Sequence, residues 1–220
     1  MTEDRLYEQI RERLRSAFDP VKPLKAAWDR ALWIFPISLL YVAITLAIFH
    51  LRPDYMNLSP LVLLGFFLLQ VLACYLVLVA LLEACIPGSD KDPLILAGVG
   101  LMGSGIFLLA SWITFRVSPN WPDPDHEFEM GMACMKIIGM FGILTLLFGF
   151  FLARAGRPFR AIATGLLLGL ASGLIAEAAW RLHCPFSSWD HILVFHGGTV
   201  FLIIVVGMMI GYLWKRNASH

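Results

Sequence analysis

The sequence predicts an all-α fold in which six transmembrane helices form a bundle. Of the 220 residues, 59% are hydrophobic and 15% are charged, and the mean hydropathy is +0.74. These values are typical of a chain in a bilayer rather than in water. Six stretches reach the roughly 20 apolar residues that a helix needs to cross the hydrocarbon core. Only helices and closed β-barrels satisfy the backbone hydrogen bonds in lipid. These stretches lack the alternating pattern of barrel strands, so they are predicted to be helices.

The six predicted spans are joined by short segments that contain charged residues, proline or glycine. The segment Arg52-Pro53-Asp54 follows the first span, Pro87-Gly88-Ser89-Asp90 follows the second, and Arg157-Pro158 follows the fourth. Such segments mark the places where one helix ends and the next begins. In chain order, the predicted spans cover residues 31–50, 60–82, 94–115, 130–153, 161–180 and 192–214.

The distribution of lysine and arginine predicts the orientation of the chain. The first terminal segment, the second and fourth links and the last segment together hold thirteen of these residues, whereas the other links hold three. Because Lys and Arg in short loops are retained on the cytoplasmic side during insertion, both termini are predicted to be cytoplasmic. The expected location is the inner membrane of a bacterium.

Residues 2–18 have the pattern of an amphipathic helix. Leu6, Ile10, Leu14 and Phe18 recur every four positions, which places apolar side chains on one face. The charged face mixes acidic and basic residues, whereas a helix on a membrane surface is usually basic there. We therefore expect this helix to bind a groove on a soluble protein. Residues 1–30 are too few for an enzyme domain, and no enzymatic activity is expected.

Most of the reactive side chains fall on the predicted outer side of the membrane. Five of the six histidines and two of the four cysteines lie there, whereas Cys74 and Cys85 lie within or near the inner end of the second span. The outer residues are His50, His126, His183, His191, His196, Cys134 and Cys184.

Small residues indicate which faces of the spans pack together. Residues Gly165, Gly169, Gly173 and Glu177 are spaced by four along the fifth span, and small residues permit close contact between membrane helices. This spacing places Glu177 on the packed face, about one turn from the outer end, where an acid is expected to be paired. The same reasoning for the fourth and sixth spans suggests that Cys134 and His196 converge with Glu177.

A purely structural interpretation of this outer cluster is possible. Glu177 would pair with Lys136 or with Arg181, the histidines would be interfacial polar residues, and the cysteines would be small packing groups.

Two chemical interpretations remain open beside it. Cys134 and Cys184 could form a disulfide or a redox-sensing pair, because the outer side of a bacterial inner membrane is oxidising. Alternatively, zinc or a softer ion could bind there, although no zinc-finger spacing is present. The sequence identifies no particular cofactor. A metal ion is the only kind of cofactor that these side chains suggest. The candidate ligands are Cys184, His183, His191 and His196.

The stretch from Cys134 to Trp214 contains a set of motifs: Cys134-Met135-Lys136, Arg154-Ala155-Gly156-Arg157-Pro158, the run from Gly165 to Gly173, Leu182-His183-Cys184-Pro185, and the last helix through His196. The proline-containing segment Asp19-Pro20-Val21-Lys22-Pro23-Leu24 precedes the first predicted span. With these motifs, the stretch resembles a bacterial family of six-helix membrane anti-sigma factors, the negative-regulator-of-sigma-F type, and the proline-containing segment is similar to one that the family has before its first helix.

The resemblance implies a function and a division of the chain. Residues 1–30 would hold an extracytoplasmic-function sigma factor at the membrane, without contacting nucleic acid directly. Residues 31–214 would form a sensor domain in the lipid bilayer, and residues 215–220 a cytoplasmic tail. A change at the outer cysteines would then release the sigma factor.

A different class of function stays open as the alternative. The chain could be a membrane redox or cofactor-binding protein, for example one that holds haem through His50 and His196 or a metal in the outer cluster. A transporter has less support, because no pair of broken helices occupies corresponding halves of the chain.

Overall fold

The regular structure of the chain is helical throughout the part that the structure describes. This computed structural model describes residues 3–17, 24–56, 59–86, 92–117, 126–154, 156 and 160–217. A π-helical turn, Ile192–Gly197, joins the last two helices. The helices are α1 Glu3–Ala17, α2 Ala27–Ala31, α3 Ile34–Ile48, α4 Pro60–Ala84, α5 Pro93–Val117, α6 Glu127–Ala153, α7 Ala161–Arg181, α8 Trp189–His191 and α9 Gly198–Asn217.

Six helical segments are long and apolar enough to cross a membrane, which confirms the predicted fold class. The chain is therefore a multi-pass membrane protein. Within the described ranges, the spans are Ala27–Ile48, Pro60–Ala84, Leu94–Val117, Glu127–Ala153, Ala161–Arg181 and Trp189–Arg216.

The first span is built from two helices rather than one. A turn at Leu32 and Trp33 separates α2 from α3. Pro36 lies in the first turn of α3, where its missing N–H removes no hydrogen bond within the helix. The span begins at Ala27, four residues before its predicted start, and its N-terminal part is a separate short helix.

Helix α7 is the central element of the bundle. It packs against α3, α4, α5, α6 and α9, and every residue from Leu167 to Arg181 is buried. The closest approach is to α9, where a methyl group added at Gly165 would collide with the carbonyl oxygen of Gly207. Glycine at both positions lets the two backbones touch. The predicted stripe of small residues on this helix is thus the face that contacts α9.

One end of the bundle is tied together by Arg30, at the boundary of the predicted N-terminal segment. The Arg30 side chain is buried, and it donates one hydrogen bond to the carbonyl oxygen of Leu82 and another to that of Leu152, both at 3.2 Å. These carbonyls belong to the last turns of α4 and α6, where the helix lacks donors of its own. We call this the Arg30 end; the opposite end holds Cys134 and Cys184.

The predicted N-terminal helix is present as α1. Leu6, Ile10 and Leu14 lie within it, and the side chain of Ile10 is exposed. Phe18, the fourth residue of the predicted stripe, lies outside the described residues.

Candidate functional site

Four side chains meet at the end of the bundle opposite Arg30. Each offers one sulfur or nitrogen atom, and these atoms lie within 4.8 Å of one another. All four side chains are buried. We call this group the thiol–imidazole cluster: Cys134, Cys184, His191 and His196.

The two sulfurs and one imidazole form the tightest part of the cluster. The Sγ atoms of Cys134 and Cys184 are 3.7 Å apart, and both thiols are free. The Nε2 atom of His191 lies 3.6 Å from the first sulfur and 3.5 Å from the second. One nitrogen therefore contacts both thiols at once.

Four elements bring these residues together. Cys134 lies in the second turn of α6, Cys184 in the link between α7 and α8, His191 at the end of α8, and His196 in the π-helical turn. In an α-helix, residues five apart differ by about 140° around the axis. A π-helical turn, with its i to i+5 hydrogen bonds, brings such residues much closer to one face. The two imidazole centroids are accordingly 5.4 Å apart.

Aromatic rings enclose His191. The ring centroids of Phe186 and Phe195 lie 5.1 and 5.3 Å from its own. The Phe195 ring occupies the space that a side chain at position 131 would need, so Gly131 permits this contact with α6. His191 is 0% exposed. Protein side chains therefore enclose the cluster and shield it from solvent.

A buried ionic network adjoins the cluster. Glu177 Oε1 accepts a hydrogen bond from Nε of Arg181 at 2.8 Å and lies 3.3 Å from Nδ1 of His196. Nη2 of Arg181 donates to the hydroxyl of Ser111 at 2.9 Å. The structure thus brings Glu177 to Arg181 and His196, whereas Lys136 is exposed on α6.

The link between α3 and α4 holds in place the link between α7 and α8, which contains Cys184 and which we call the Cys184 loop. Nη2 of Arg52 donates to Ser187 Oγ at 2.7 Å and to Asp54 Oδ2 at 2.8 Å. The backbone N–H of Arg52 donates to the carbonyl oxygen of Leu182 at 3.2 Å. Arg52 is 1% exposed. Sequence reasoning missed this role and counted Arg52 as an outer-loop charge; the neighbouring acid Asp54 was the available signal.

His183 lies beside the cluster without belonging to it. Its Nδ1 atom is 3.0 Å from the carbonyl oxygen of His50 and donates to it. Burial lowers the pKa of the His183 imidazole below its ordinary value, and this hydrogen bond opposes the shift. The imidazole is therefore neutral at neutral pH. His50 itself is exposed, whereas His196, its predicted partner in a haem site, is buried against Glu177.

The Cys184 thiol keeps its proton. Its hydrogen bond with the sulfur of Cys134, and then its burial, raise the pKa of Cys184 well above the ordinary value of a thiol. A protonated thiol is a weak nucleophile and a weak ligand.

These features define a class: a multi-pass, all-helical membrane protein with a buried thiol–imidazole cluster at one end. The chain belongs to the negative regulator of sigma F (NrsF) family, whose sequence model matches residues 14–216. This match confirms the resemblance predicted from the sequence and extends it over most of the chain. No curated protein and no solved structure matches the chain. The protein is thus a negative regulator of a sigma factor, which is a regulatory role.

Proposed function

We propose that the chain holds an extracytoplasmic-function sigma factor at the bacterial inner membrane and releases it when Cys134 and Cys184 change state. Residues 1–30 bind the sigma factor on the cytoplasmic side, and residues 31–214 form the sensor. The observation that supports this most directly is the buried pair of free thiols, 3.7 Å apart. It supplies a reactive site at the end of the bundle opposite the one that α2 and Arg30 occupy.

The sensing step is a change in the bonding of the two sulfurs. Oxidation converts the thiols to a disulfide, with loss of two protons and two electrons to an oxidant outside the membrane. The sulfurs then approach from 3.7 Å to a bond of about 2.05 Å. Because one sulfur is on α6 and the other in the α7–α8 link, their approach moves these elements relative to each other.

Helix α6 is the element that can transmit this movement. Cys134 and Leu152 are both in α6, about 27 Å apart along the axis at 1.5 Å per residue. The carbonyl oxygen of Leu152 accepts a hydrogen bond from Arg30, so a shift of α6 reaches the start of the first span. Shifts of this kind are coupled to binding when the signal favours one bundle conformation over another.

The partner-binding side is α1 and the residues that follow it. The stripe of Leu6, Ile10, Leu14 and Phe18 suits the groove of a soluble protein, and the exposed side chain of Ile10 belongs to it. Exposed side chains of both signs flank Ile10, including Glu8 and Arg11. This mixture favours a protein partner over an anionic lipid surface.

Co-purification tests this proposal. The tagged full chain is purified from solubilised membranes of its own bacterium, and the proteins that accompany it are identified by mass spectrometry. We expect a sigma factor with the full chain and none with a chain that lacks residues 1–28. Within the full chain, Ile10→Asp places a charge in the stripe and is expected to lower the sigma factor recovered at least 10-fold.

Gln9→Asp is the matched control. It adds the same charge at the neighbouring exposed position outside the stripe and is expected to leave recovery unchanged. A sigma factor that still accompanies the chain without residues 1–28 would contradict the proposal.

A further inference from the structure

The thiol–imidazole cluster offers four donor atoms within 4.8 Å of one another, and three of them have the spacing of neighbouring ligands in a tetrahedral metal site. Two sulfurs and two ring nitrogens are a donor set that zinc takes in closed tetrahedral sites. With bonds of about 2.3 Å to sulfur and 2.05 Å to nitrogen, neighbouring ligands in a tetrahedron are about 3.8 Å apart for two sulfurs and 3.55 Å for sulfur and nitrogen. The observed separations are 3.7 Å between the sulfurs and 3.6 and 3.5 Å from each sulfur to His191 Nε2.

A second, independent observation is a buried nitrogen without a partner. Nδ1 of His196 lies against Glu177, which leaves Nε2 as the free ring atom. Among the described residues, this Nε2 atom has no hydrogen-bond partner, although His196 is 1% exposed. An unpaired polar atom in an apolar interior is unfavourable, and coordination to a metal ion would satisfy it.

We propose that the cluster binds one soft divalent d¹⁰ cation, Zn²⁺ or Cd²⁺, and that Glu177 orients one of its imidazole ligands. The four ligands are Cys134, Cys184, His191 and His196. The inference deepens the proposed function, since it names an ion that the sensing site binds.

The charges balance in this site. Binding displaces the two thiol protons to solvent, so that two thiolates and two neutral imidazoles surround a cation of charge +2 and the net charge is zero. Neither the sulfurs nor the ion changes oxidation state. Glu177 and Arg181 also cancel each other. Hard cations such as Mg²⁺ and Ca²⁺ prefer oxygen ligands, so they do not match this donor set.

Glu177 has the place of a supporting carboxylate. Ligating histidines commonly hydrogen-bond a carboxylate through the ring nitrogen that does not touch the metal, which fixes the orientation of the ring. The contact between Glu177 Oε1 and His196 Nδ1 is of this kind. Glu177 would therefore have a second role beside its ion pair with Arg181. By contacting Nδ1 of His196, it would leave Nε2 of the same ring available to the metal.

Bound metal and a disulfide exclude each other, because both use the same two sulfurs. A cation at the cluster holds α6, the Cys184 loop and the π-helical turn together. Its binding or loss is therefore a second way to change the position of α6.

Metal titration of the full chain in lipid nanodiscs tests this inference. The protein is reduced, freed of metal with a chelator and titrated with Cd²⁺ alone. Thiolate-to-cadmium absorption in the ultraviolet and bound metal by mass spectrometry are measured together. We expect one cadmium ion per chain, with absorption that saturates at this ratio.

Variants assign the ligands. Cys134→Ser and Cys184→Ser are each expected to lose half or more of the thiolate absorption and at least 100-fold in affinity. Glu177→Gln is expected to keep one ion per chain and to bind it about 10- to 100-fold more weakly. His183→Ala and Cys74→Ser are controls, because neither residue belongs to the cluster, and both should bind cadmium like the unaltered chain.

Circular dichroism and gel filtration show whether each variant is folded. Whether the cluster binds metal at all is decided by the titration of the unaltered chain. Absence of tight cadmium binding to it overturns the inference, and so does binding that survives Cys134→Ser. Unchanged affinity in Glu177→Gln overturns the role of Glu177. Capture of the sigma factor is measured separately: capture without metal binding rejects the metal site alone, whereas metal binding without capture rejects the proposed function alone.

Discussion

Glu177 is a buried acid in an apolar bundle, about one turn from the end of α7, and its surroundings explain why the structure can hold it there. A charged group buried away from water is destabilised by several kcal/mol unless other groups compensate for its lost hydration. Arg181, one helical turn further along α7, supplies the opposite charge, and its guanidinium also lies 5.3 Å from the ring centroid of Phe107. His196 contacts the same carboxylate oxygen. Glu177 and Arg181 together thereby connect α7, α5 and the π-helical turn.

The sulfurs of Cys134 and Cys184 are predicted to be necessary for release of the sigma factor but not for its capture. Each Ser substitution removes one of the two sulfurs that must approach or be bridged. Transcription from a sigma-dependent promoter, measured before and after addition of a thiol oxidant or Cd²⁺, should rise in the unaltered strain. In the Cys134→Ser and Cys184→Ser strains it should stay within about twofold of the uninduced level.

The other two cysteines provide matched controls for this experiment. Cys74 and Cys85 are also buried, and they lie outside the cluster. Cys74→Ser and Cys85→Ser are therefore expected to respond like the unaltered strain. An undiminished response in both cluster variants would remove the cysteines from the mechanism.

At the scale of elements, the number and order of the spans could be predicted because each depends on a long apolar run. The ends of the spans were less predictable. The last one begins at Trp189, three residues before its predicted start, and includes the polar residues Asp190 and His191. Hydropathy assigns such residues to a loop. In the structure, His191 is buried inside protein, where the cluster and the surrounding rings take the place of water.

The part of the candidate site that depends on regular helix spacing could also be predicted from the sequence. Spacing on one helix face brought Cys134, Glu177 and His196 together in the sequence analysis, and the structure places them around one site. The position of His191 beside them depends on the π-helical turn, which apolar periodicity does not encode. The role of Arg52 depends on a contact between two loops more than 130 residues apart in sequence, which a single sequence does not reveal.

The contact between α7 and α9 should be the packing interaction that tolerates enlargement least. Gly207→Leu would force a side chain against the carbonyl oxygen of Gly165, and backbone atoms cannot rotate away as a side chain can. Overpacking a well-packed interior destabilises by about 1–3 kcal/mol. We expect a lower midpoint in thermal or detergent unfolding in micelles, followed by circular dichroism.

Gly105→Leu is the matched control for this change. It adds the same side chain to another span, at a position where a Cβ atom meets nothing within 4 Å, and should change the free energy of unfolding by no more than about 0.5 kcal/mol. Equal stability of the two variants would show that the α7–α9 contact can yield, and that small residues are not required there.

At the scale of the whole molecule, the parity of the spans separates the two functional ends. Six crossings return the chain to the side on which it began, and five crossings lie between α1 and the Cys184 loop. The thiol–imidazole cluster and the partner-binding segment are therefore expected on opposite sides of the membrane. Because thirteen Lys and Arg residues lie on one predicted side and three on the other, we expect α1 on the cytoplasmic side.

Labelling with a membrane-impermeant maleimide tests this sidedness in intact spheroplasts. Met56→Cys places a thiol in the link between α3 and α4, where the natural side chain is 69% exposed, and it should react at once. Gln9→Cys and Lys215→Cys, both at exposed positions, should react after the membrane is permeabilised and not before. The unaltered chain is the control, because its four cysteines are buried. Reaction of Met56→Cys and Gln9→Cys from the same side would contradict transmission across the membrane, and with it the proposed link between the cysteines and the sigma factor.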